Sequence, residues 1–286
     1  MEPLNYCREK AATPGSALYY TLRFSPADQH DALLAVFAFH AEVSEVPNEV
    51  SDPGVGAVKL EWWREELGRV FAGAPRHPVS QALVPAIRDH DLEAEPFQDM
   101  IDGTAMDLAY DGYPSFRELS VYCHRTGGAF ARLLTGIAGA NSGASARFAH
   151  DLGMAQTLRR RLLSVRDDAR AGRVYIPEDE MRQAGVTRED LLAPQTSDAL
   201  RALFKEQADR IIAFLDQAEA HLPDSERARQ RSGIILAALD RALLEELAQD
   251  NFPLLEQAFE LTPLRRLWVA WRTARRQQRL SRRAGQ

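Results

Sequence analysis

The chain has only two cysteines, Cys7 and Cys123, among 286 residues. They lie far apart and form no CxxC pair, which excludes a disulfide framework and fits a reducing, cytoplasmic setting. No run of about 18 apolar residues occurs, so no membrane-spanning helix is expected. The opening MEPLNYCREKAATPG holds no apolar stretch of the kind that makes a secretory signal. The seven histidines, His30, His40, His77 and His124 among them, do not fall at metal-ligand spacing. There is no GxSxG, no GxxxxGK[ST], no HExxH and no Gly-rich loop after a strand pattern, so common hydrolase, nucleotide and zinc-peptidase sites are not indicated. Acids outnumber bases, 41 to 35, for a net charge of −6, which argues against general nucleic-acid binding. Alternation of apolar and polar residues never lasts more than a few positions, and no repeat or low-complexity linker is visible.

What is present is helical periodicity, in a chain 45% hydrophobic and long enough for a large core. The expectation is an all-α fold forming one domain, 1–286. Helices are expected over 6–12, from Ser25-Pro26 to about Val46, over 59–71, 78–90, 95–109, from Ser115 to about Gly139, and over 152–171. Further ones are expected from Thr187, over 197–222, 225–249, 253–259 and 263–281. Residues 16–24 read as an aromatic-rich connector, and Pro47 as the end or kink of its helix. His40 lies on an apolar face and reads as a core histidine.

The stretch LGMAQTLRRRLLSVRDDARAGRVYIP, residues 152–177, organises the rest. Arg160, Ser164 and Asp168 are four apart and share one helical face, and Gly172 is placed to stop the helix. This stretch resembles the second signature of the squalene and phytoene synthase family, LGxAxQLTNxLRDxxEDxxxGRxYxP, without a gap from Leu152 to Arg173. The resemblance implies that Arg160 and Ser164 stand where the family has a magnesium-binding asparagine and aspartate. Asp168 keeps the last acid, Asp167 takes a glutamate position, and Thr157 a glutamine position. Arg173 and Tyr175 match GRxYxP.

Other stretches follow in family order. AFHAEVSEVPNEV resembles the first signature, AFCREVDDxxDE, with Ser44 and Asn48 at its aspartate positions and Glu42, Glu45 and Glu49 still acidic. PGSALYY resembles PGSSxYY and keeps Ser16. MIDGTAMDL resembles IDGMEMDL and keeps Asp102 and Asp107. YCHRTGG resembles YCxxVAG, which implies that Tyr122 lines the reaction cavity. Gly127-Gly128 would permit close approach of another helix or a ligand.

The resemblance implies an isoprenoid-synthase bundle with a central cavity, helices 28–46 and 152–170 facing across it, and a prenyl diphosphate or other isoprenoid lipid as ligand. In the family, Mg2+ bound by the acids neutralises the leaving diphosphate. With four ligand positions replaced, the expectation is a non-catalytic lipid-binding or assembly protein with no metal cofactor. It would be similar to the squalene-synthase-like assembly factors of respiratory complex I, which implies a protein partner. Glu45, Glu49 and Asp168 would form any residual metal site. The alternative is an active prenyltransferase joining two prenyl diphosphates head to head. Arg160 is expected to reach inward to Glu45 or Glu49 in place of the metal.

The last helix is basic. After Glu260 there is no acid, arginines stand at 265, 266, 272, 275, 276, 279, 282 and 283, and Leu264, Leu267, Trp268 and Trp271 share one side. This is the pattern of an interfacial helix, which would place the protein peripherally at the inner face of a membrane. The competing expectation is a terminal helix docked by its tryptophans.

Overall fold

In the computed structural model, residues 2–139 and 142–284 are described, the side chains as far as residue 280. The side chains of Arg282 and Arg283 lie outside the described residues. No strand occurs among those described, and no helix is long and apolar enough to cross a membrane.

The helices in chain order are α1 (Pro3–Ala11), α2 (Ala17–Phe24), α3 (His30–Glu49), α4 (Pro53–Phe71), α5 (Pro78–His90), α6 (Ala94–Ala109), α7 (Phe116–Cys123) and α8 (Ala129–Ile137). They continue as α9 (Gly143–Leu163), α10 (Val165–Arg170), α11 (Glu178–Gln183), α12 (Asp198–His221), α13 (Asp224–Arg227), α14 (Arg231–Gln249) and α15 (Pro263–Ala284). Side-chain oxygens start several of them. Ser16 accepts from the Tyr19 amide, Asp52 from Gly54, Ser142 from Ser145 and Ser197 from Leu200, each relieving an orphan donor of the first turn.

Two large apolar clusters divide the bundle. One joins α1, α3, α4, α5, α6 and α8 around Leu33, Phe39, Leu60, Leu83 and Phe97. The other is centred on α9 and α12, with Tyr122, Phe148, Leu152, Phe204 and Ile211. A smaller cluster of Tyr20, Ile235, Leu239, Val269, Ala270 and Ala274 fastens α15 to α2 and α14.

Several expected elements differ. Residues 17–24 form a helix, not a connector, because Ser16 caps them and Leu18 and Tyr20 bury. α3 runs through a buried Pro47 to Glu49. The proline forfeits only the bond to the Val43 carbonyl, and just two residues follow it. The helix expected to Gly139 is interrupted by a π-turn over His124–Gly128. The long central helix steps at Ser164, whose ψ of 9° ends α9 and begins α10. Residues 253–259 are turns rather than helix, since Asn251 and Phe252 take φ of 60° and 54° just before Pro253. The segment from Glu189 to Leu192 is a short 3-10 turn, and the break between Arg227 and Arg231 splits the expected 225–249 helix.

The π-turn brings Gly127 against Gly153 of α9. A Cβ on Gly153 would run into the Gly127 carbonyl, and one on Gly127 into the Gly153 carbonyl and the Thr157 hydroxyl. Backbone lies on both sides and cannot rotate away. Gly153→Ala is therefore expected to cost about 2 kcal/mol or more in chemical denaturation. Gly68→Ala, a helical position with nothing within 4 Å, should raise stability by up to about 1 kcal/mol. Equal effects of the two would contradict the close crossing.

Candidate functional site

α9 carries an arginine into the protein, and it is Arg161. Its side chain is 11% exposed. The guanidinium donates to Asp107 Oδ2 at 2.7 Å, to Asp168 Oδ1 at 3.2 Å and, through Nε, to the Tyr122 hydroxyl at 3.0 Å. Its carbon lies 3.8 Å from the centre of the Tyr175 ring. Tyr122 and Tyr175 donate to the two oxygens of Asp107, at 3.2 and 2.6 Å. The Ser164 hydroxyl sits 2.5 Å from Asp168 Oδ2 and 3.0 Å from the Arg160 carbonyl. Tyr113 closes the cluster, its ring 5.8 Å from Tyr122 and 6.0 Å from Tyr175.

The electrostatics follow from this packing. Burial raises the Asp168 carboxyl above its ordinary range, against the pull of the Arg161 charge and the Ser164 hydrogen bond. Burial also raises the Tyr122 phenol to about 12, reinforced by the Asp107 charge. Burial opposes the Arg161 charge, yet Tyr122, Asp107, Tyr175 and Asp168 together leave it well above the usual arginine range. The centre is a fixed guanidinium held by two carboxylates and two phenols.

The first-signature face is occupied differently. Lys10 of α1 pairs with Glu45 at 2.6 Å and Glu42 at 3.4 Å, and Tyr6 donates to Glu42 at 2.7 Å. Glu49 pairs with Lys59 at 3.0 Å. Ser44 turns to its own helix, 3.4 Å from the Ala41 carbonyl. Asn48 accepts from Arg173 at 2.5 Å, the contact that ties the end of α3 to the loop after α10.

The expected bridge from Arg160 to Glu45 or Glu49 is therefore overturned. Arg160 makes no ion pair among the described residues. Its guanidinium lies 3.4 Å from the Tyr122 hydroxyl. One step along a helix is about 100° of rotation, and that step carries position 161, not 160, over Tyr175. The lysines of α1 and α4 have taken the glutamates. His40, ring centre 4.4 Å from Phe130, is held neutral with a pKa of about 3 by burial and by the Arg160 charge.

Asp107, Tyr122, Ser164, Asp168 and Tyr175 thus come together, with Arg160 at their edge. The other anticipated residues do not join them. Ser16 is a helix cap, Asp102 pairs with Arg64 at 2.7 Å, Thr157 meets Thr126 at 3.4 Å, and Asp167 is 83% exposed beside Arg170. Two members, Arg161 and Tyr113, went unmarked in the sequence. The available signal for Arg161 was its spacing of seven from Asp168, which puts both on one helical face.

Beside this cluster, α9, α14 and the entry to α15 line an open cavity of about 320 Å³. Arg159, Arg160, Ser164, Asp240, Leu261 and Arg266 are among its walls. Arg159 is paired with Asp240 at 2.9 Å, and Arg266 with Glu260 at 2.9 Å.

Comparison with known proteins decides the family, because the squalene/phytoene synthase family model matches residues 11–272. The chain belongs to the squalene/phytoene synthase family. It is 28% identical over 257 residues to the chloroplastic phytoene synthase 2 of Solanum lycopersicum, covering 88% of this chain and 83% of that one. It is 28% identical over 263 residues to the 15-cis-phytoene synthase of Synechococcus elongatus, covering 88% and 85%. Among solved structures, a dehydrosqualene synthase in complex with ligand superposes with a TM-score of 0.83 over 97% of both chains, at 19% identity. Squalene synthase HpnC from Alicyclobacillus acidocaldarius gives 0.76 over 88% of this chain and 95% of that one, at 24% identity. These likenesses establish the isoprenoid-synthase fold. The squalene/phytoene synthase family acts on prenyl diphosphates and uses Mg2+, and no group of three or more acidic, histidine or cysteine side chains able to hold a metal occurs among the described residues.

Proposed function

We propose that this chain is a diverged, metal-independent member of its family that binds an isoprenoid lipid without ionising a prenyl diphosphate. It would work as one domain, as a binding or assembly protein with a protein partner, at a membrane surface. The observation that carries the reading is Arg161, seated on Asp168, the acid kept at the last of the three implied metal-ligand positions of the second signature. Magnesium demands several free oxygens in near-octahedral array. Both oxygens of Asp168 are engaged, by Arg161 and Ser164, and both of Asp107, by Arg161 and the two tyrosines. Glu42, Glu45 and Glu49 are neutralised by lysines. The side chains present do not fit a magnesium ion. A guanidinium also supplies fixed charge where the family relies on the metal, but it cannot open a coordination position for a leaving group.

Among the described cations lining the cavity between α9 and α14, Arg160 is the one without an ion pair. It lines the cavity between α9 and α14 with Arg159 and Arg266, and a guanidinium suits a phosphate or diphosphate head group. Inorganic pyrophosphate is expected to raise the melting temperature of the parent by mass action, equally in EDTA and in magnesium, and to leave Arg160→Ala unmoved. A rise that requires magnesium would contradict the reading and favour an active synthase.

A further inference from the structure

Among the described residues, α15 leaves Leu264, Leu267, Trp268 and Trp271 partly exposed on its outer side. The helix is fastened by small residues, Val269, Ala270 and Ala274, which are 7%, 0% and 2% exposed. Its tryptophans are half-buried and stand outside the core cluster that fastens the helix. Trp268 is 44% and Trp271 42% exposed, beside Leu264 at 79% and Leu267 at 37%. These four span an arc of roughly 100° on the helix surface. Arginines adjoin them. Arg265, which also pairs with Glu246 of α14 at 2.9 Å, and Arg272 each lie 5.0 Å from the Trp268 ring, and Arg275 lies 4.9 Å from Trp271.

We infer that this face of α15 seats the protein on a bilayer containing anionic lipids. The chain as a whole is acidic, yet no acid follows Glu260. Its C-terminal run of positive charge lies beside four of its exposed large apolar side chains. Tryptophan favours the head-group level of a bilayer, where its ring is half in lipid and its N–H stays wet. Arginine lies along such a ring while its guanidinium reaches lipid phosphate. An exposed ridge of leucine and tryptophan with arginine along its flank fits an interfacial helix bound by apolar burial and by attraction to acidic lipids. A nucleic acid would use the arginines and the rings but offers nothing to Leu264 and Leu267. The first turns of α15 also turn Arg266 toward the cavity between α9 and α14. A docked α15 thus brings that cavity close to the lipid, a link that rests on the isoprenoid-binding reading, whereas the surface itself does not.

Co-sedimentation of the full chain with vesicles free of isoprenoid tests the surface alone. Binding is expected to vesicles of phosphatidylcholine with phosphatidylglycerol, not to phosphatidylcholine alone, and to fall with added salt. Arg272→Glu with Arg275→Glu should weaken partitioning by about tenfold or more. Trp268→Ala with Trp271→Ala should weaken it as well, while the circular dichroism spectrum stays that of the parent, because both rings stand outside the core. Parent and variants sedimenting alike would overturn the inference. So would equal binding to neutral vesicles, or self-association through the tryptophans with no vesicle binding at all. Pyrophosphate-induced stabilisation is measured without vesicles, so loss of one result leaves the other standing.

Discussion

Arg161→Ala should melt far below the parent, by about 10 °C or more. The substitution leaves Asp107 and Asp168 buried, with side chains 5% and 9% exposed, and without their shared cation. Breaking a buried pair by removing one partner typically costs about 3–5 kcal/mol, and 1 kcal/mol is worth roughly 2–4 °C in a chain of this size. The pair need not have added net stability in the first place, because burying three charges is itself costly. The asymmetry lies in what the deletion strands. Arg161→Lys keeps a charge but loses the planar fork that reaches Asp107, Asp168 and Tyr122 together, so an intermediate loss is expected. Arg160→Ala, which abandons no carboxylate, should shift the melting temperature little.

The deficit of Arg161→Ala should also depend on pH. Burial already raises the Asp168 pKa in the parent, and Arg161 works against that rise. Without the arginine the folded-state pKa climbs further above its unfolded value. A carboxyl raised in this way stabilises the fold when protonated and destabilises it as pH rises through the folded pKa. The gap between parent and variant should therefore be widest near neutrality and narrow as pH falls into the carboxylate range. A gap that is constant across that range would mean that Arg161 acts through packing alone.

Much of this was visible in the chain before the fold was known. The helical periods and the glycine at 172 reflect local chemistry, which a sequence displays directly, whereas the cap at Ser16 was hidden in a stretch that reads as a connector. Gly127-Gly128 was suggestive for a similar reason, since absent side chains mark places where backbones meet, while its partner Gly153 emerged only from the fold. Residues 253–259 misled because Leu254 and Leu255 bury in an irregular segment, and burial alone does not distinguish a turn from a helix. At the site, Asp107, Tyr122, Asp168 and Tyr175 were named in advance, because each sits in a stretch with family spacing. Which arginine enters was not legible. Arg159, Arg160 and Arg161 are adjacent and chemically identical, and only the rotation of α9 against Tyr175 separates them. Nor was the fate of the acidic face of α3 legible, because Lys10 and Lys59 approach it from other helices.

The second large effect expected is on turnover. Departure of diphosphate from an allylic carbon leaves a carbocation and demands neutralisation of the departing charge. In the proposed reading Ser44, Asn48, Arg160 and Ser164 stand where the motif resemblance implies metal-binding side chains, and Arg161 holds Asp168. Removing one charge-stabilising group commonly costs about 10²–10³ in rate, so four together should abolish measurable reaction. The metal-independent account is tested most directly by incubating the pure protein with farnesyl or geranylgeranyl diphosphate and saturating magnesium and following pyrophosphate release. No release above the protein-free control is expected. Formation of phytoene, presqualene diphosphate or squalene at about 1 per second, an ordinary enzymatic rate, would contradict the account.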